Sequence, residues 1–181
     1  MDQTLARLTP LALGCFLVLL PRGDTGLSQE WRETLDEKLA KVAERAPGFG
    51  GMFFCDDEGT IGGAFLCLYL TDPSWQQEAE TAIKEVFGAE YLKHRVKVLQ
   101  GTYDFRELKA WHERMMDVLS IPRVTMTDID ESKNRLTVGL EDLGDRQLRN
   151  AVELRLVRLG VPLEAVTFEQ RLPVRLTPLS M

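Results

Sequence analysis

The side chains that could run a reaction are few and badly spaced for it. The chain has two histidines, His94 and His112. His112 sits in "WHERMM", which begins like the H-E-x-x-H signature that turns two imidazoles on a helix toward one zinc ion. Position 116 is Met, so the second ligand is missing and no metal is expected. A nucleophilic triad needs a serine set against a histidine and an acid. The serines, Ser28, Ser74, Ser120, Ser132 and Ser180, all fall at caps, turns or the tail, and none stands in a G-x-S-x-G elbow. Acids gather in "DDEG" (56–59) and "DIDE" (128–131), but neither has the ligand spacing of a calcium loop, and turn chemistry accounts for both. "GTIG" (59–62) has the G-x-x-G form of KH domains, where it joins two helices and clamps nucleic acid; here strand-like sequence flanks it. No Walker or Rossmann glycine pattern occurs. The expectation is a protein that is not an enzyme, with no catalytic residue, cofactor or metal.

Composition narrows the partners. The 181 residues are 44% apolar and 28% charged, with a net charge of −6. That balance supports a buried core and opposes nonspecific nucleic-acid binding, which relies on clustered Lys and Arg. The basic groups Lys93-His94-Arg95 and Arg155/Arg158 are short, flanked by acids, and read as solvated faces. No nucleic-acid partner is expected.

The N-terminus reads differently. "LALGCFLVLL", Leu11 to Leu20, follows Arg7 and is stopped by Pro21-Arg22-Gly23-Asp24. A helical span of a bilayer takes about 20 apolar residues, whereas a secretory h-region takes about 7–15. Residues 1–26 are therefore expected to be a signal peptide, the only membrane contact, and the protein to be secreted or periplasmic. Export would leave Cys55 and Cys67, on neighbouring strand-like segments. A disulfide in an oxidising compartment and two buried thiols both fit that placement.

These residues are positioned by a pattern that occurs twice. From Ser28, a plausible N-cap, the stripe Trp31, Leu35, Leu39, Val42, Ala43 predicts a helix ended by "APGFGG". Strands "GMFFC" and "AFLCLYLTD" follow, separated by "DDEG" and a glycine-bearing loop. A second helix starts at Asp72-Pro73-Ser74, with Ser74/Gln77 matching a capping box, and carries Trp75, Ala79, Ala82, Ile83 and Val86 up to Gly88; "RVKVLQ" is the next strand. The later half repeats the order. Asp104/Glu107 match a capping box before Leu108, Trp111, Met115 and Leu119. Strands "VTMTDID" and "RLTVGLED" meet at "ESKN", Asp142 or Asp145 caps a helix with Leu148, Val152, Leu156 and Leu159, and "AVTFEQ" is the last strand. A slide of seventy positions pairs Leu66 with Leu136, Leu68 with Val138, Leu70 with Leu140, and Asp72 with Asp142. The matched aspartates read as helix caps rather than a two-carboxylate catalytic site. The fold expected is α+β: two tandem α-β-β-α-β units (27–102 and 103–172), each an antiparallel sheet with helices packed on one face, then an extended tail (173–181).

The phrases "GFGGMFFCDDEG" with "LYLTD", and "TDIDESKNRLTVGLED" in the second unit, resemble the duplicated prosegment of the alpha-lytic protease group of secreted serine proteases. In that family the prosegment is a folding chaperone and inhibitor of its protease. The resemblance covers roughly 28–172, departs from the family at the extra "IGGA" of the first hairpin, and includes no protease sequence up to Met181. It implies a free-standing, prosegment-like binding protein whose partner is a protein, in the sharpest form a secreted serine protease. An exposed sheet edge, "AVTFEQ" or "VTMTDID", would accept a partner strand, and the proline-bearing tail "RLPVRLTPLSM" would lie extended in a cleft. The partner-binding residues implied are Phe168, Gln170, Leu172, Val174 and Leu176. The alternative is a structural or assembly module that binds a peptide or another copy of itself through sheet edges.

Overall fold

A computed structural model of the chain describes residues 33–56 and 65–173. These lie within one compact unit, Glu33–Met181. The proposed signal segment, Ser28, Trp31, the glycine-bearing loop after Asp56, and tail residues Val174 and Leu176 lie outside the described residues.

The first repeat contains α1 (Leu35–Arg45), β1 (Phe49–Cys55), β2 (Phe65–Leu70), α2 (Gln76–Phe87) and β3 (Arg95–Gln100). The second contains α3 (Phe105–Met115), β4 (Val124–Asp130), β5 (Arg135–Leu140), α4 (Arg146–Arg158) and β6 (Val166–Gln170). The α-β-β-α-β order thus occurs twice, with two separate three-stranded sheets, β1-β2-β3 and β4-β5-β6.

The pairing corrects one expectation. β1 and β2 are antiparallel, as are β4 and β5, but β3 runs parallel to β2 and β6 parallel to β5. Each sheet is mixed rather than antiparallel. The reason is topological: a direct strand-to-strand connection reverses the chain, whereas a strand reached through an intervening helix starts again from the same end of the sheet.

Capping fixes where the helices begin. Thr34 and Glu37 form a reciprocal capping box at α1, which the sequence reading passed over, and Asp104 with Glu107 form the expected one at α3. Ser74 and Gln77 form no box: Asp72 accepts from the Ser74 amide and starts a single 3-10 turn, Pro73–Trp75, ahead of α2. Asp145, not Asp142, caps α4, accepting from the Gln147 and Leu148 amides. Asp142 accepts from the Gly144 amide in the preceding turn, so Asp72 and Asp142 are both local turn-makers.

One core runs through both repeats. Leu39, Val42, Ala79, Ile83, Leu66, Leu68 and Leu70 of the first are continuous with Leu108, Met115, Leu136, Val138, Leu140, Val152 and Leu156 of the second. Phe49 and Phe105, each fully buried, set their rings 6.4 Å apart between centroids, one from each repeat. Apolar burial of this kind supplies most of the driving force for folding, at about 25 cal/mol per Å². Trp75 and Leu119, expected on buried stripes, are instead partly exposed, because both sit in 3-10 turns at helix ends.

Candidate functional site

The residues singled out for partner binding belong to β6 and the chain after it. β6 is an edge strand, hydrogen-bonded only to β5 in its sheet. Its register pairs Leu136 with Val166, Val138 with Phe168 and Leu140 with Gln170. The Arg171 amide donates to the Leu140 carbonyl at 2.8 Å. In a parallel ladder that bond assigns the backbone polar groups of Thr167, Glu169 and Arg171 to β5. Val166, Phe168 and Gln170 then turn N–H and C=O away from the sheet. Among the described residues, the main-chain N–H and C=O of Phe168 and Gln170 therefore have no strand partner.

Their side chains do different things. The Phe168 ring packs against the core with the Arg149 guanidinium of α4 over it, 4.7 Å from the centroid. Phe168 thus contributes to an edge through its main chain, not its ring. Gln170 is exposed, and Leu172 is 77% exposed just beyond the strand. The opposite sheet face carries Glu169, held by Lys133 and Arg171, which keep its carboxyl below the usual range. The Thr137–Thr167 hydroxyl pair, 3.0 Å apart, lies on the same face. β4, the other strand expected to serve, is also an edge, but α3 packs along it. No protein-family model matches this chain, and no curated protein does. The edge is therefore judged on its geometry.

Edge strands invite pairing unless they are short, charged, bulged or covered. β4 is bulged between Val124 and Met126, as β1 is between Phe49 and Gly51, and β6 shows no such shift in its register with β5. At five residues, β6 is long enough to give a partner strand several main-chain bonds and short enough to limit self-association.

The candidates for chemistry stand apart from one another. His112 lies on α3 with its Nε2 buried and without a hydrogen-bond partner. Among the described residues, no group of three His, Cys, Asp or Glu is placed to hold a metal ion. Two carboxyls are pushed upward: Asp128, mainly by burial, and Glu131, by burial and by the neighbouring Asp36, Asp128 and Asp130, to about 7. Neither lines the groove between α1 and α2 (Arg45, Gln77, Glu78, Thr81, Ala82, Glu85) or the depression at the start of α3 (Asp104, Arg106, Glu107, Ala110).

Cys55 and Cys67 form a disulfide, with Cα atoms 5.9 Å apart, inside the range that such a bridge spans. The register places Cys55 opposite Phe65 and Cys67 opposite Phe53, so the bridge runs diagonally across the β1–β2 pair.

Among the described residues, the most deeply buried polar side chain stands in the predicted "ESKN" turn. Asn134 is 1% exposed. Its Oδ1 accepts from the amides of Thr102 and Tyr103, at 2.7 and 2.9 Å, in the link between the repeats. Its Nδ2 donates to the carbonyls of Gly50 and Tyr103, at 2.9 and 2.8 Å. A φ of 52° places it in the left-handed region that Asn tolerates better than most residues, and the "ESKN" turn carried that signal. What sequence could not supply was the partners, which lie dozens of positions away.

Proposed function

We propose that the protein is a non-enzymatic, extracytoplasmic binding protein that takes an extended segment of a protein partner onto the outer edge of β6. In its sharpest form the partner is a secreted serine protease, and the protein acts as its inhibitor or folding helper. The observation that carries this reading is the orientation of Phe168 and Gln170, whose main-chain groups face away from β5 at an edge with no bulge. Strand addition at such an edge gives affinity through main-chain hydrogen bonds and makes modest demands on partner sequence. The tail that begins at Arg171 leaves the same edge, so Leu172, and with it Val174 and Leu176, would extend the contact. The Cys55–Cys67 bridge supports placement in an oxidising compartment, where such bonds persist.

A second reading is an assembly module. It is favoured by β3, which copies the geometry of β6: the Gly101 amide donates to Leu70 as Arg171 does to Leu140, so Val96, Val98 and Gln100 also face outward. A chain with two such edges can pair with itself.

Inhibition of a panel of chymotrypsin-fold proteases by the intact protein tests the first reading, with deletion of 172–181 as the second arm. Tight inhibition with the inhibitor left uncleaved supports it, and a drop on deletion assigns the tail a share. Absence of inhibition by folded protein, together with concentration-dependent oligomers, would favour the second.

A further inference from the structure

The turn between β4 and β5 lies on the first repeat beside α3, whose cap Asp104 accepts from the Gly48 amide and whose Phe105 packs on Phe49. Besides the Asn134 bonds, the Tyr69 hydroxyl of β2 donates to the Ser132 carbonyl at 3.1 Å. Glu131 closes the contact. A Cβ built on Gly51 of β1 would meet the Glu131 Cβ at 3.4 Å, its Cγ at 3.5 Å and its Cα at 3.6 Å, so the Glu131 stem lies directly on a residue with no side chain. Glu131 is half-buried.

The charges around that carboxyl are one-sided. Asp36 faces it from α1, and Asp128 and Asp130 from β4. The Lys and Arg side chains nearby are engaged elsewhere. Lys133, two positions on in the same turn, is held by Asp130 and Glu169. Arg135 of β5 donates to the Asn134 carbonyl and to Thr102 Oγ1, with its guanidinium over the Tyr103 ring. His112 of α3 lies near Asp128 rather than pairing with Glu131, and the neutral Tyr69 of β2 donates its hydroxyl to the Ser132 carbonyl. Among the described residues no ion pair reaches Glu131. A carboxylate there is desolvated and feels three like charges, and together these outweigh the hydrogen bond from its own backbone amide, which favours ionisation. A neutral carboxyl loses nothing by staying on Gly51; a charged one gains by moving out to water.

We propose that the joint between the two repeats includes a pH-sensitive latch, in which the β4–β5 turn is seated on β1 while Glu131 is protonated and lifts away when it ionises. This holds whether or not β6 binds a partner strand. The upward push on Glu131, to about 7, puts the change between mildly acidic and mildly alkaline conditions.

Hydrogen exchange of the full chain, followed by NMR and corrected for the intrinsic pH dependence of amide exchange, tests it. The reporters are the Thr102 and Tyr103 amides, which Asn134 protects, with the Val152 amide of α4 as the marker of global unfolding. Between about pH 5.5 and pH 8, protection at Thr102 and Tyr103 is expected to fall roughly tenfold or more, since each pKa unit of displacement is a factor of ten. Val152 should hold. Glu131→Gln should make the Thr102 and Tyr103 protection independent of pH. Should that variant fail to fold, Asp36→Asn gives a second route: it removes one opposing charge and should move the wild-type transition to lower pH. A flat wild-type profile, an unchanged profile in Glu131→Gln, an unmoved transition in Asp36→Asn, or exchange at Thr102 and Tyr103 no faster than at Val152 would each overturn the latch.

Discussion

The Asn134 side-chain amide donates to the Gly50 carbonyl at 2.9 Å, across 84 positions of sequence, and the space it occupies exists because residue 50 has no side chain. A Cβ on Gly50 would stand 2.6 Å from that same nitrogen and 2.6 Å from the Tyr103 carbonyl. One buried amide thus joins β1, the link between the repeats and the β4–β5 turn.

Asn134→Ala should therefore destabilise the protein by about 2–4 kcal/mol, because it leaves the buried Thr102, Tyr103 and Gly50 groups unpaired. Asn134→Gly loses the same bonds but relieves the left-handed backbone, so it should be less damaging than Ala by about 1 kcal/mol. Urea unfolding of the two variants checks both the size and the order. Equal stability of Ala and Gly would remove the backbone part of the argument.

The disulfide makes a sharper count. Unfolded, unreduced full-length protein should titrate with one thiol, Cys15, since Cys55 and Cys67 are joined. Three thiols would show the bridge unformed. Replacing both Cys55 and Cys67 with Ser should cost about 2–3 kcal/mol in unfolding experiments, the loop-closure effect expected for a bridge over roughly a dozen residues.

Much of this fold was legible in the sequence because its elements bury one face each. The strand "RVKVLQ" matches β3 residue for residue, and Leu148, Val152 and Leu156 are buried as their spacing requires. Strand direction was not legible from periodicity, which is the same for either orientation; the parallel β3 and β6 follow from connectivity. The depth of the repeat was also hidden. Gly48 and Arg123 precede β1 and β4 with φ of 80° and 72°, and their carbonyls accept from Thr71 and Glu141 in matching fashion. No residue identity links Gly to Arg, so only backbone geometry shows that they correspond. At the candidate edge, the sequence pointed to Phe168 and Gln170 through their strand, but it gave no sign that the Phe168 ring packs on the core beneath the Arg149 guanidinium, because a phenyl ring on a strand does not show whether a helix covers it.

The carboxyls set the sign of the pH dependence of stability. Glu131 and Asp128 are raised, so the folded protein binds more protons than the unfolded chain. Stability must then fall as pH climbs from the unfolded value of Glu131, 4.5, to its folded value, about 7. Asp145, Asp130, Glu169 and Glu113 are lowered by their hydrogen bonds and partners, and they remove stability only in acid, as pH drops through and below their ordinary range. The urea midpoint should therefore peak near pH 5 and decline on both sides, with Glu131→Gln flattening the alkaline limb by about 1–3 kcal/mol. A midpoint that rises steadily to pH 8 would contradict the balance.

The edge reading makes the last prediction, and it turns on which amides face outward. Gln170 directs its N–H away from β5, so Gln170→Pro removes a donor that only an added strand would use, and leaves the β5–β6 ladder intact. Proline is tolerated at such edge positions, and folding stability should change by less than about 1 kcal/mol. Glu169→Pro is the control, since its amide belongs to the ladder, and it should cost clearly more. Where the wild-type protein binds a protease or a model strand peptide, Gln170→Pro should weaken that binding at least tenfold, the loss of a main-chain bond plus a clash with the incoming strand. Calorimetry on the variant, beside its thermal unfolding, separates the two effects. Binding that survives Gln170→Pro at full strength would move the partner off this edge and onto the tail or the matching edge of β3.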